Sequence, residues 1–190
     1  MKNYLKSIQK NYPISSAYIM LLIISIAAFY LRSAILLYGI PIYLMTAPFL
    51  YGQKITIKAN AKDTIIGIAI SAIALLPFST VMILAGKQFT MPSFETLLFQ
   101  FAAVAFPEEF FFRGFVQERI GNNKKGIVIT SLLFAGAHLP ISTASGSLLP
   151  LLSFFPSLAM GWFYMRTSNI LPCVIFHFLA NMAFIGFGGF

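Results

Sequence analysis

The chain has 190 residues, 58% hydrophobic and 9% charged, with 13 basic side chains against 5 acidic ones and a net charge of +8. Soluble globular proteins carry about 25% charged residues, so a water-soluble domain of this length is excluded for want of a polar coat. A nucleic-acid partner is excluded as well, because the positive balance comes from scarce acids rather than abundant bases.

What remains is an all-α, polytopic transmembrane helix bundle, read as a single transmembrane domain over residues 1–190. A hydrocarbon core of about 30 Å takes ~20 apolar residues per helix. The first apolar run, Ile14 to Tyr51, is too long for one crossing. It divides near Tyr30–Ser33, with Gly39-Ile40-Pro41 as the weaker alternative, since proline is tolerated inside membrane helices. Further spans follow at Thr64–Ala85, Phe94–Val116, Gly126–Leu139, Leu148–Met165 and Asn169 to about Phe187, giving about seven in all. Ser25-Ile26-Ala27 offers a weak signal-peptidase site, but the apolar run continues past it, and the first span reads as an uncleaved anchor.

The basic residues supply an orientation independently of hydropathy. Lys2, Lys6 and Lys10, then Lys54, Lys58 and Lys62, then Arg119, Lys124 and Lys125, and finally Arg166 all fall on one side of this arrangement. Arg32 and Lys87 fall on the other, and Arg113 lies within a span. Positive charge accumulates on the cytoplasmic face, so the N-terminus is placed in the cytoplasm. Short loops and the lack of a targeting extension suggest a prokaryotic cytoplasmic membrane, crossed several times. The single cysteine, Cys173, excludes an internal disulfide and a cysteine-based zinc cluster, and in its apolar run it reads as packing.

Function is then sought among polar groups that are costly at depth, since a charge near the bilayer centre costs at least ~2.5 kcal/mol and usually faces a bundle interior or a wet cavity. Asp63 and Glu95 lie at span ends and Glu118 in a basic loop, where solvation explains them. Glu108 and Glu109 lie inside the fourth span, in Phe106-Pro107-Glu108-Glu109-Phe110-Phe111-Phe112-Arg113. Glu109 and Arg113, four apart, share a helix face and are placed to pair. Glu108 is rotated by about 100° from Glu109 and is left to face a cavity. Pro107 lacks an N–H and is expected to kink the helix or free a carbonyl. Phe110, Phe111, Phe112 and Phe115 read as packing, with a lipid-chain groove as the alternative.

The two histidines are also within spans: His138 in Phe134-Ala135-Gly136-Ala137-His138, and His177 in His177-Phe178-Leu179-Ala180-Asn181. Asn181 stands one turn from His177 on the same face. Separately, each has a plain reading: a histidine in an apolar helix is more often a hydrogen-bonded packing residue than a catalyst, and a Glu–Arg pair can simply staple helices. Together, convergence of Glu108, His138, His177 and Asn181 would hide their cost in one cavity. That set would hold a base for water, an imidazole to orient it or protonate a leaving amine, and donors for an oxyanion.

Glu-Glu-x-x-x-Arg at 108–113, Phe-x-x-x-His at 134–138 and His-x-x-x-Asn at 177–181, in this order, resemble the CAAX protease and bacteriocin-processing (CPBP, or Abi) family, which includes the Rce1-type prenyl-protein endopeptidases. The resemblance covers roughly residues 94–190, and Gly114 and Gly136 are similar to the family as well. It implies a helical intramembrane endopeptidase with a cavity opening toward the cytoplasm. By position, Glu108 activates the water with His138 as partner, His177 and Asn181 form the oxyanion site, and Glu109 and Arg113 support the geometry. The implied partners are the lipid bilayer and a peptide or protein with a membrane-embedded or lipidated segment: a prenylated C-terminus, a leader peptide, a bacteriocin precursor or a sorting anchor. No cofactor is favoured, since there is no His-Glu-x-x-His pair. Zinc held by Glu108, His138 and His177 is the alternative. The competing functions are a non-catalytic membrane peptide-binding or immunity protein and a proton-coupled carrier, although the halves of the chain show none of the symmetry that carriers usually have.

Overall fold

The structure, a computed structural model, describes residues 2–55, 57, 58 and 60–189, with side chains from Tyr12 onward; the side chains of Lys2, Lys6 and Lys10 lie outside the described residues. Every regular element among the described residues is a helix, as hydropathy requires, and together they form a helical membrane bundle. Helix α1 (Lys2–Tyr30) ends at a turn in which Arg32 takes the left-handed conformation, φ 50°. Ser33 then caps α2 (Ala34–Leu50), its hydroxyl accepting from the Leu36 amide. The break therefore falls at 31–33. The Gly39-Ile40-Pro41 alternative is not used, because α2 runs through both Pro41 and Pro48.

Helix α3 (Ala61–Leu84) is capped by Asn60 and faces outward along most of its length, with Ile65, Ile73, Leu76 and Leu84 exposed. By length and apolarity, Tyr12–Tyr30, Ala61–Leu84 and Lys124–Ser145 are long enough to cross a membrane, and Ala34–Leu50 and Leu171–Gly186 are shorter apolar helices. Exposed isoleucine and leucine on such helices meet lipid tails at no hydrophobic cost.

The fourth helix, α4, is continuous over 94–120 but not uniform. Two π-helical stretches, Gln100–Ala105 and Phe112–Gln117, flank the α-helical turn Phe106–Phe111. The Phe106 amide donates to Phe101 O, five residues back, one residue before Pro107 removes a donor. The wide turn absorbs the missing bond, so the disturbance expected at Pro107 takes the form of a π-bulge, a feature common at functional sites.

Helix α5 (Lys124–Ala137) stops at His138, and α6 (Leu139–Ser145) continues beyond it. A 3₁₀ turn, Leu149–Ser153, leads into α7 (Phe154–Thr167), and α8 (Leu171–Gly186) closes the chain. The core lies between α1, α2, α4, α5, α7 and α8. Phe110, Phe111, Phe112 and Phe115 are all buried there, so these rings pack in the core. Helices approach closely where small residues permit it. A Cβ on Gly161 would lie 2.9 Å from Ile127 Cγ2, and one on Gly67 would lie 3.0 Å from Pro172 Cα, so α7 docks on α5 and α3 on α8 through glycines.

Long-range hydrogen bonds show which connections share an end. Arg119 donates to Tyr51 O and to Gln53 Oε1 at 3.1 Å, and Asn169 Nδ2 donates to Lys58 O at 2.8 Å. The connections after α2, α4 and α7 are thus gathered at one end of the bundle, and these are the basic ones. At the opposite end, the Thr90 amide donates to Gly186 O at 2.8 Å.

Candidate active site

The site is assembled from α4, α5, α8 and the start of α7. Glu109 and Arg113, on one face of α4, are both fully buried and pair at 2.8 Å, Nε to Oε2. Arg113 Nη2 also donates to Ser157 Oγ at 2.9 Å, and Ser157 in turn donates to Ser131 Oγ at 3.1 Å. The guanidinium lies 5.4 Å from the centre of the Phe134 ring. A buried charge needs this density of partners, since breaking such a pair leaves the other ion stranded. Hydropathy gives no warning of Ser131 and Ser157, because a serine in an apolar helix is common.

Glu109 has a second partner. His177 Nδ1 lies 3.0 Å from Glu109 Oε1, and a carboxylate paired with arginine can only accept, so Nδ1 carries the proton. That fixes the ring and turns Nε2 toward Glu108, whose Oε2 is 3.8 Å away. His138 is held in a similar manner: its Nδ1 lies 2.8 Å from Phe134 O, leaving the Nε2 edge for the cavity. Phe134 packs against both imidazoles, with ring centres 5.0 Å from His138 and 5.7 Å from His177. The phenylalanine of Phe-x-x-x-His is therefore a wedge that spaces the two rings and supplies one carbonyl, a role its place in the sequence alone does not reveal.

Glu108, His138, His177 and Asn181 line one cavity of about 110 Å³, together with Val104, Phe134, Ser153, Pro156, Met160 and Ala180. All four polar residues singled out in the sequence come together there. Within that set the contacts differ from the expectation in one respect. Among the described residues no hydrogen bond or ion pair joins Glu108 to His138, and the imidazole nearest to Glu108 by contact is that of His177. Glu108 Oε2 is buried and has no hydrogen-bond partner among the described residues. Asn181 Nδ2 donates to Gln100 Oε1 at 2.9 Å, and Gln100 opens the first π-helical stretch of α4. Nothing in the sequence pattern marks Gln100, since glutamine near a span end passes as an interfacial residue.

Two further expectations concern metal and thiol. Among the described residues no three His, Cys, Asp or Glu side chains are grouped as they would be around a metal ion, so the trio Glu108, His138 and His177 does not form a ready-made zinc cage. Cys173 is fully buried, its thiol directed at Met160 O at 3.2 Å, which is the packing role expected.

Residues 90–183 match the family described as type II CAAX prenyl endopeptidase Rce1-like. The match spans all three motifs, and the chain carries a domain of this CAAX protease family, as the motifs suggested. No curated protein and no solved structure matches the chain.

Proposed function

We propose that this Rce1-like chain is an intramembrane endopeptidase that hydrolyses a peptide bond beside a membrane-embedded or lipidated segment, using water activated by Glu108 and no metal. The observation that carries the reading is the unpartnered Glu108 Oε2, buried in a cavity shared with His138, His177 and Asn181. Leaving a buried carboxylate oxygen unpaired costs about 1–3 kcal/mol or more, a cost expected where the group serves a reaction. The cavity has room for several waters, and a water oxygen can reach both Glu108 Oε2 and His177 Nε2 across their 3.8 Å gap.

In this mechanism Glu108 takes a proton from the water as its oxygen attacks the scissile carbonyl carbon. The tetrahedral oxyanion is held by the Asn181 amide and by His177 in its doubly protonated form, which donates from Nε2 while its Nδ1–H stays on Glu109, itself set by Arg113. His138, whose Nε2 edge faces the same cavity without touching Glu108, carries the proton on to the departing nitrogen. The C–N bond then breaks to give a carboxylic acid and an amine, and transfer of the acid's proton to the amine leaves a carboxylate and an ammonium, so both protons of the water are accounted for without an external group. The dispersed donor set favours this route over zinc.

We also read the chain as crossing a prokaryotic cytoplasmic membrane several times as one domain, with the N-terminus inside. The gathering of the basic connections at one end supports that topology. The test is Glu108→Gln in purified full-length protein, assayed on an internally quenched peptide with a prenylated CAAX C-terminus. Glutamine keeps the shape but is no base, so cleavage is expected to fall by at least ~10²-fold. A peptide-binding or immunity protein would show no cleavage in either form, and wild-type rates in the variant would refute the assignment of the base.

A further inference from the structure

Within the described helices, hydroxyl side chains usually satisfy themselves locally. Ser71 donates to Gly67 O, Thr143 to Leu139 O and Thr167 to Phe163 O, each one turn back. Where a serine precedes a helix it caps instead: Ser33 and Ser93 accept from the amides of Leu36 and Thr96. Ser153 does neither. It ends the 3₁₀ turn and stands at the cap position of α7, yet it makes no capping bond, and its Oγ is buried without a hydrogen-bond partner among the described residues. The hydroxyls of Thr130 and Ser142 are likewise buried without a hydrogen-bond partner among the described residues, but of the three only that of Ser153 belongs to a residue lining the cavity that holds Glu108.

Ser153 Oγ and Glu108 Oε2 are thus two buried, unpartnered oxygens on the wall of one small polar-tipped void. A buried hydroxyl left in this way is an uncompensated cost unless something in the cavity completes it. From this we propose that Ser153 is a further water-binding residue of the site, holding the attacking water against Glu108. The inference rests on the hydrolytic reading above. The water gives one hydrogen to Glu108, which removes it during attack, and the other to Ser153 Oγ. That leaves an oxygen lone pair directed at the substrate carbonyl. Ser153 is neither deprotonated nor acylated, and no covalent bond to it forms or breaks.

The test compares wild type, Ser153→Ala, Ser153→Thr and Glu108→Gln as purified full-length proteins on the same quenched prenylated peptide. Ser153→Ala is expected to lower kcat about 10- to 100-fold with KM little changed, the effect of losing one hydrogen bond to a reacting water. Ser153→Thr, which keeps the hydroxyl, is expected to restore most of the rate. Melting temperatures of the alanine variant and wild type are expected to coincide, since the hydroxyl has no protein partner to lose. Wild-type kcat in Ser153→Ala beside an inactive Glu108→Gln overturns the role of Ser153 and leaves the protease reading intact. Loss of activity in Ser153→Ala as complete as in Glu108→Gln, with covalent labelling of the wild-type serine by a fluorophosphonate, overturns it in favour of a serine nucleophile. A rate loss matched by a lower melting temperature and not recovered by threonine overturns it in favour of a structural role. No cleavage by wild type, or wild-type cleavage by Glu108→Gln, sinks the hydrolytic reading itself and this inference with it.

Discussion

Arg113→Met is the sharpest test of how the site is held together. Arg113 and Glu109 are both without solvent exposure and pair at 2.8 Å. Methionine fills much of the stem volume but strands the Glu109 carboxylate, whose remaining partner is His177 at 3.0 Å. Breaking a buried pair from one side costs about 3–5 kcal/mol in soluble proteins. Inside a membrane bundle the unfolded helices find other partners for their polar groups, which favours the lower end, about 3 kcal/mol. For a chain of this size each kcal/mol moves the melting temperature by ~2–4 °C, so a drop of roughly 6–12 °C is expected. The protein carries its own reporter: Cys173 is the single cysteine and is fully buried, so a thiol-reactive fluorophore lights up on unfolding. The double variant Glu109→Gln/Arg113→Met removes both charges while leaving an oxygen to accept from His177, and it is expected to recover at least half of the lost stability. A single variant as stable as wild type, or a double variant no better than the single, would refute the view that this pair is a mutually dependent buried support.

Two more expectations follow from the same contacts. Gln100→Leu deletes the acceptor that orients the Asn181 amide at 2.9 Å and is expected to lower kcat about tenfold with KM within a factor of two; steady-state kinetics on the quenched peptide check it, and an unchanged kcat would show that Asn181 is held by its own helix. Incubation with 1,10-phenanthroline, followed by assay, is expected to leave the cleavage rate unchanged, given that no three described metal-ligating side chains are grouped; inactivation that zinc reverses would move Glu108, His138 and His177 to a metal centre.

The parts of this molecule legible in its sequence are those where a misplaced residue would cost the most. A carboxylate, an arginine or an imidazole at depth forces convergence, so Glu108, Glu109, Arg113, His138 and His177 announce themselves, and the structure gathers them. Span length, the charge of Arg32 and the tolerance of membrane helices for proline are enough to place the first break near Tyr30–Ser33 rather than at Gly39-Ile40-Pro41, and the structure turns there, with Arg32 at φ 50°. Illegible were the residues that cost little by themselves. Ser131, Ser157, Ser153 and Gln100 sit unremarkably in apolar or interfacial sequence, and only the fold reveals that Ser157, backed by Ser131, completes a guanidinium, that Gln100 holds an amide and that the Ser153 hydroxyl is left without a hydrogen-bond partner among the described residues. The π-turns of α4 are equally silent, since hydropathy counts residues and not hydrogen-bond register. They nevertheless set where Glu108 and Gln100 stand relative to α8. A motif therefore fixes which charges must meet, while the ungainly turns and cheap hydroxyls around them fix how.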